Sequence, residues 1–326
     1  MKLSETYRSY VEAVNRFVWN RNVQKVKMVA IGQNANDGWI ARLFIYFLLS
    51  VLAYLYLQPV FYMISTMFKN LNDLLDPTVK WIPRELYLDN IHKAWLGLKY
   101  PEAFGNTVLI ALTCSIVQVF VCSLTGYALA KLEFPGRGIV TFLVILTFLI
   151  PPQVVAIPLY VMYSKFHLLN TPFVFLVPAL FGQGLRSALF IIIFRQFFRS
   201  QPTTLEEAAR LDGAGPFRLF FRIMMPLARS ACLVVFLFSF IWYWNMYYEP
   251  IMFLQDKWFP LSISLDHLDD VLTGLPDNYQ VVNGKDPVSE GPKMAGAFMI
   301  IFPPLIMYVF LQRWFVEGIE RTGLVE

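Results

Sequence analysis

Long apolar runs separated by shorter charged segments dominate the chain. Four of these runs contain no charged residue, and two contain a single one, Arg186 or Glu249. A helix needs about 20 predominantly apolar residues to cross a bilayer, whereas a barrel strand needs only about ten alternating ones. The pattern predicts an all-α membrane protein with six membrane-spanning helices, at Leu43–Phe68, Ala103–Ala130, Gly138–Ser164, Thr171–Phe194, Ser230–Leu254 and Met294–Gln312.

The composition agrees with this prediction. Of the 326 residues, 57% are hydrophobic and 15% are charged, whereas soluble domains carry about 25% charged residues. These values exclude a soluble globular protein and a disordered one. The three cysteines, Cys114, Cys122 and Cys232, lie within apolar runs and form no C-x-x-C pair, so neither a disulfide framework nor a zinc site is predicted.

Lysine and arginine are distributed unequally between the two sides that six spans would create. The side with both termini carries 17 of them, and the opposite side carries nine. Because cytoplasmic loops are enriched in these residues, both termini are predicted to be cytoplasmic. The net charge of +4 then reflects orientation in the membrane, and nucleic acid is not expected as a partner.

The same pattern divides the chain into segments. Residues 1–38 form a cytoplasmic N-terminal segment, either an interfacial helix on an anionic leaflet or a solvated tail. Residues 39–320 form the six-helix membrane domain, with long outer loops at 69–101 and 256–293. Residues 321–326 form a cytoplasmic tail.

Prolines and glycines interrupt three of the predicted spans. Proline removes an amide hydrogen and bends a helix, which membrane proteins tolerate where a neighbour or a cavity satisfies the freed carbonyl. Broken helices are typical of a translocation path, although packing alone also explains any single kink. The residues concerned are Pro151, Pro152 and Pro158 in the third span, Pro178, Gly182 and Gly184 in the fourth, and Pro303 and Pro304 in the sixth.

The polar segment between the fourth and fifth spans has the pattern of two short helices joined by a turn. Thr203 with Glu206, and Thr204 with Glu207, match the T-x-x-E capping box, which predicts a helix start. Gly213 then ends this helix, and the glycine-proline pair that follows opens a second one.

This segment also carries a spaced motif. Glu-Ala-Ala, three residues, Gly213, nine residues and Ile-Met-Met-Pro run from Glu207 to Pro226. The spacing resembles the EAA signature, EAA-x3-G-x9-I-x-L-P, of the permease subunits of importer-type ABC transporters. The departure is Met225 in place of the usual leucine, a volume-conserving change. We call residues 200–230 the EAA segment.

Other segments resemble the carbohydrate-importing branch of these permeases, similar to the smaller membrane subunit of the maltose type. They are Asn106-Thr107, GYALAKLEFPGR at 126–137, IPLYVMYSKFHLLNT at 157–171, FRQFF at 194–198, WN at 244–245 and LQRWFVEGI at 311–319. The resemblance covers about residues 40–320. It implies the type I ABC importer permease fold, with a cytoplasmic coupling helix, in the cytoplasmic membrane of a bacterium.

The resemblance also implies a function and partners. A carbohydrate, from a monosaccharide to a polysaccharide fragment, would pass from an extracytoplasmic solute-binding protein into the cytoplasm. The chain would pair with a second permease subunit as a heterodimer and dock on two ATP-binding subunits, which hold ATP and Mg²⁺. No cofactor is expected on this chain, which has no G-x-x-x-x-G-K-[ST] motif and is not expected to be an enzyme.

The family motif assigns the coupling helix to specific residues. Glu207 is expected to be the main polar contact with the ATP-binding subunit, although helix capping alone would also explain Glu206 and Glu207. The complete set expected to dock is Glu206, Glu207, Ala208, Ala209, Arg210, Asp212 and Gly213.

Charges inside a membrane are costly and indicate function. Arg186 and Glu249 are expected either to form a structural ion pair or to line the path. Aromatic and amide side chains near them suit a sugar, although Trp and Tyr also form belts at membrane interfaces. The candidates for the translocation path are Gln153, Gln183, Arg186, Trp244, Asn245, Tyr248 and Glu249.

The sequence lacks the features of two other classes of protein. A self-contained secondary transporter would show an internal repeat with paired broken helices, and no such repeat is evident. An intramembrane enzyme would need a catalytic motif such as H-E-x-x-H or G-x-S-x-G, and the sequence contains neither.

Overall fold

Helices make up most of the protein, and no strand occurs among the residues that the structure describes. The structure is a computed structural model and describes residues 38–254, 257–273 and 287–323. The predicted N-terminal segment therefore lies almost wholly outside the described residues, as does part of the second outer loop. The chain divides into two units, Met1–Ser65 and Thr66–Glu326.

The described part of the first unit belongs to a long helix, α1 (Trp39–Met67). It coincides with the first predicted span, and its side chains from Tyr46 to Tyr62 are all exposed. A helix that is apolar on every side is typical of a membrane span.

The second unit contains helices of very different lengths. They are, in chain order, α2 (Leu71–Leu75), α3 (Asp89–Gly97), α4 (Tyr100–Lys131), α5 (Arg137–Leu149), α6 (Pro152–Lys165), α7 (Phe173–Leu180), α8 (Ser187–Ser200), α9 (Thr203–Leu211), α10 (Pro216–Leu219), α11 (Met225–Leu227), α12 (Arg229–Trp244), α13 (Tyr248–Phe253), α14 (Leu261–Asp266), α15 (Leu268–Thr273) and α16 (Pro287–Gly323). A π-helical turn, Phe220–Met224, joins α10 to α11.

Length and composition identify the helices that could cross a membrane. Within the described part of the chain, α1, α4 and α16 are long and apolar enough by themselves. The pair α5 and α6 is bent by 101°, and Pro216–Leu227 meets α12 at 76°, so counting each bent pair as one span gives up to five. The fourth predicted span is two helices, α7 and α8, each shorter than a bilayer requires. The number of six spans stays a prediction.

The helix breaks agree with the sequence in two places. Pro151 and Pro152 mark the end of α5 and the start of α6, as predicted. The fourth span breaks between Gly182 and Arg186, which have φ values of +69° and +59°. Left-handed backbone cannot continue a right-handed helix, so α7 and α8 are separate helices.

The predicted interruption of the sixth span is wrong. Pro303 and Pro304 both lie inside α16, which continues to Gly323. Each proline removes one backbone hydrogen bond. The rest of the helix persists because an apolar environment offers its other amides and carbonyls no alternative partner.

The first outer loop contains regular structure. Its helix α3 is tied to the residues before α2 by the buried side chain of Asn90. The Asn90 amide donates hydrogen bonds to the carbonyls of Met67, at 3.0 Å, and Lys69, at 2.8 Å. This side chain therefore fixes α3 against the residues that precede α2.

Helix α4 is the central helix of the second unit, and it contacts α7, α8, α12 and α14. The first part of α4 packs into an apolar cluster around Trp244. The last part packs against Phe194, Phe198 and Phe220 in a second cluster. Gly126 lets α4 and α8 approach closely, since a Cβ atom at this position would lie 2.6 Å from the Cβ of Phe194.

Candidate functional site

The EAA segment begins with α9, which starts directly after Pro202. The helix forms where the sequence predicts it. The predicted capping box does not form, because Pro202 holds the N-cap position and no side chain caps the helix. The carboxylate of Glu206 is instead buried, 2.9 Å from the ammonium nitrogen of Lys131. The ammonium compensates the charge of this carboxylate, whereas a capping position would leave the cation without its partner.

The partner, Lys131, lies in the last turn of α4. The side chains of Lys131 and Glu206 are each 7% exposed. The Lys131 ammonium also donates a hydrogen bond to the carbonyl of Gln201 at 2.8 Å. On the outer side of the pair, a guanidinium nitrogen of Arg210 lies 4.0 Å from the second oxygen of Glu206. Glu206 thus faces the interior of this chain.

The other predicted docking residues lie mostly on the surface. Gly213 has a φ of +78° and ends α9, as predicted. Leu211 and Phe217, which are not among the predicted docking residues, are 89% and 76% exposed. The sequence could have indicated both as exposed contact residues, because each is a large apolar residue in a polar segment. Ala209 is buried, and the exposed candidates are Glu207, Ala208, Arg210, Asp212 and Gly213.

A cavity of about 270 Å³ lies where the broken helices meet. Its walls come from the end of α5, from α6 and α7, from the break before α8, and from α12 and α13. Most of the lining is apolar, with a few polar groups, an arrangement typical of small-molecule sites. We call this space the break cavity.

Three of the candidates for the translocation path line the break cavity: Gln183, Arg186 and Glu249. Tyr248 and Asn245 are exposed and not part of its lining, and the Asn245 amide donates to the carbonyl of Ile241 at 2.9 Å.

Two further candidates also lie apart from it. Gln153 is exposed and not part of the lining. Trp244 is 1% exposed, and its indole nitrogen donates to the carbonyl of Ile300 at 3.0 Å. Trp244 is therefore a core residue. Helical spacing alone could not reveal this, because it does not distinguish a path-facing side of α12 from a packed one.

The two charged residues of the break cavity do not form the ion pair that was one of the two expectations. Among the described residues, no ion pair within 4.0 Å joins Arg186 to Glu249. The Arg186 guanidinium instead lies over the ring of Trp242, 5.7 Å from its centre. Neither charge is therefore neutralised by the other.

A buried polar network holds the break in place, and sequence reasoning missed it. The Gln118 amide, from α4, donates to the carbonyl of Leu185 at 2.8 Å and to the hydroxyl of Ser187 at 2.7 Å. The Leu185 amide donates to the hydroxyl oxygen of Tyr243 at 3.1 Å. The Ser239 hydroxyl donates to the Gln118 carbonyl oxygen. A lone glutamine inside an apolar run was the available signal.

A second cavity, of about 720 Å³, lies between the start of α4 and the segment from Lys257 to α15. Lys99 and Trp258 line it, and both have a positive φ, +47° and +64°. Both residues come from the predicted outer loops. This space is thus separate from the break cavity and differs in lining.

Comparisons with known proteins agree on the class of this chain. Residues 122–321 match the family described as "Binding-protein-dependent transport system inner membrane component". The arabinooligosaccharides transport system permease protein AraQ of Halalkalibacterium halodurans is 29% identical, over 84% of this chain and 92% of its own. The sn-glycerol-3-phosphate transport system permease protein UgpE of Agrobacterium fabrum is 27% identical, over 87% and 97%.

A further relative and a solved structure extend the comparison. The polygalacturonan/rhamnogalacturonan transport system permease protein YtcP of Bacillus subtilis is 27% identical, over 84% of this chain and 94% of its own. A chain of a bacterial ABC transporter involved in the import of the acidic polysaccharide alginate has the same fold, with a TM-score of 0.69 and 23% identity. The match covers 85% of this chain and 96% of that one. The resemblance that the EAA spacing indicated is confirmed, and this chain belongs to the family of inner membrane components of binding-protein-dependent transport systems.

Proposed function

We propose that this chain is the permease subunit of an ATP-driven ABC importer that moves a carbohydrate from a solute-binding protein into the cytoplasm. The family match and the sugar-transport names of the relatives support the class of solute. The observation that carries the proposal is the exposed face of α9, which presents Glu207 beside the apolar Leu211. A self-contained secondary transporter would have no use for such a face.

The face of α9 fits a cytoplasmic ATP-binding subunit. Exposed apolar side chains rimmed by charge are typical of protein interfaces, and Leu211 and Phe217 lie beside Glu207 and Asp212 in sequence. Both termini and the EAA segment then lie in the cytoplasm. A second permease subunit completes the membrane assembly, as a heterodimer, and ATP and Mg²⁺ are held by the two ATP-binding subunits.

Docking of α9 has a direct test in the assembled complex. Leu211→Asp and Glu207→Arg are each expected to weaken binding of the ATP-binding subunit about 30-fold, because each changes a central contact of the interface. Both side chains are exposed, so the chain itself should fold normally. Co-purification of the ATP-binding subunit with tagged permease, together with solute uptake, measures the effect.

The matched control is Glu133→Arg, the same charge reversal at an exposed glutamate in the short loop before α5. It should leave co-purification unchanged. Undiminished association of both α9 variants would refute docking by this face, and so would a complex that never contains an ATP-binding subunit.

The break cavity is the proposed contact site for the carbohydrate. Sugars present hydroxyl groups that charged and amide side chains bind, and Gln183, Arg186 and Glu249 supply such groups around an apolar lining. Arg186→Gln and Glu249→Gln are therefore expected to raise the KM for uptake about tenfold, since a hydrogen bond to a charged group is lost. Uptake measured against concentration of the delivered solute tests this prediction.

The control for the cavity is Thr113→Val, an exposed position on α4 whose hydroxyl is bonded within its own helix. Unchanged KM values in both cavity variants would confine Arg186 and Glu249 to a structural role.

A further inference from the structure

The two ends of the Lys131–Glu206 contact belong to different parts of the protein. Lys131 is the last residue of α4, and Glu206 lies in the middle of α9. Their charged atoms are 2.9 Å apart and both side chains are 7% exposed. Separating two buried opposite charges leaves each without compensation. A displacement of α9 is therefore expected to move the end of α4 with it.

Aromatic packing reinforces this connection one turn earlier in α4. The ring of Tyr127 lies 5.4 Å from that of Phe198, in α8, and 5.3 Å from that of Phe220, in the π-helical turn. Its hydroxyl is buried, and no hydrogen-bond partner is observed for it. The end of α4 is thus enclosed by the EAA segment on one side and by α8 on another.

The same helix contacts the break cavity. Gln118 lies 13 residues before Lys131 on α4, which corresponds to about 20 Å along a helix that rises 1.5 Å per residue. Gln118 binds Leu185 and Ser187, and both of these residues line the cavity. Between Gln118 and Lys131 the helix contains no proline and no break.

We propose that Lys131 and Glu206 are positioning residues that transmit displacement of α9 to α4, and that Gln118 passes it to the break that lines the cavity. This inference rests on the proposed function, because it requires α9 to move with an ATP-binding subunit. The ion pair provides the connection at one end of α4, and the amide of Gln118 provides it at the other. Coupling then depends on residues that contact neither ATP nor solute.

The test uses the complete transporter in proteoliposomes, with ATP hydrolysis and uptake of the delivered solute measured together. Lys131→Met and Glu206→Gln are each expected to lower the uptake per ATP hydrolysed about tenfold. The ATP-binding subunit should still co-purify, because the exposed face of α9 is unchanged. Lys93→Met is the control: it removes a lysine paired with Asp89 at the surface, and uptake per ATP should not change.

A double replacement, Lys131→Met with Glu206→Met, guards against loss of folding in the single variants. Apolar residues of similar volume often replace a buried ion pair without loss of stability. The doubly substituted complex is expected to assemble and hydrolyse ATP with the same low uptake per ATP. Uptake per ATP equal to wild type in this variant would overturn the proposal.

A combination with Gln118→Leu tests the path along α4. If the ion pair and Gln118 act in series, the variant Lys131→Met with Gln118→Leu should be no less coupled than the worse single variant. If the combined variant instead lost uptake per ATP by the product of the two single losses, Lys131 and Gln118 would act independently. That result would overturn the role of α4 as the connection. Failure of docking has a different signature, since the ATP-binding subunit would then be absent from the purified complex.

Discussion

Replacing Gly126 with valine is expected to destabilise the protein by about 3 kcal/mol, at the upper end of the range for overpacked cores. A Cβ atom at this position would lie 2.6 Å from the Cβ of Phe194, 2.8 Å from the amide nitrogen of Arg195 and 3.0 Å from the carbonyl oxygen of Ile191. All three atoms belong to α8 at or next to its backbone, so no side chain can rotate away. The helices α4 and α8 must separate, and the close packing that small residues permit is lost.

Thermal unfolding of the full chain in detergent measures this effect. Gly105→Val is the matched control on the same helix, because nothing lies within 4 Å of a Cβ atom at Gly105. Both variants introduce the same β-branched residue into α4, so differences in helix propensity cancel. Equal unfolding temperatures for the two variants would contradict the close approach of α4 and α8.

The long helices could be predicted from sequence because a single property, the length of a continuous apolar run, determines them. The apolar run Ala103–Ala130 corresponds to α4, Tyr100–Lys131, within three residues at either end. The break in the fourth span was harder to locate, since Pro178 lies inside α7 while Arg186 adopts the left-handed conformation. A positive φ at a residue other than glycine depends on tertiary contacts and not on local propensity.

The EAA segment illustrates the same limit. Local turn chemistry sufficed for α9 and for the left-handed Gly213 that ends it. The capping box was wrong because Pro202 holds the N-cap position and both threonines lie inside the helix, while Glu206 pairs with Lys131, 75 positions earlier in the chain. No local pattern encodes an ion pair between residues so far apart. For the same reason the sequence alone indicated Gln118 only as a lone polar residue within an apolar run.

Replacing Trp244 with alanine is expected to destabilise the protein by about 3 kcal/mol, the lower end of the range for a buried tryptophan. The indole is 1% exposed and lies against the rings of Phe240 and Phe104, with centres 5.3 and 6.0 Å away. Its removal leaves a cavity and an unpaired carbonyl at Ile300. The expected destabilisation is at the lower end because, in detergent, the indole of the unfolded chain still has an apolar environment.

Three variants separate packing from a role in transport. Trp244→Phe keeps an aromatic ring but cannot donate to Ile300, so it should lose about 1–2 kcal/mol and lie between wild type and Trp244→Ala. Tyr56→Ala removes an aromatic ring that is 78% exposed and should stay within about 0.5 kcal/mol of wild type. Unfolding in detergent ranks the stabilities of the variants.

If Trp244→Ala unfolded like wild type while uptake fell, the indole would act on the solute and not in the core. The buried environment of Trp244 and its bond to Ile300 favour the opposite result, in which any loss of uptake follows the loss of folded protein.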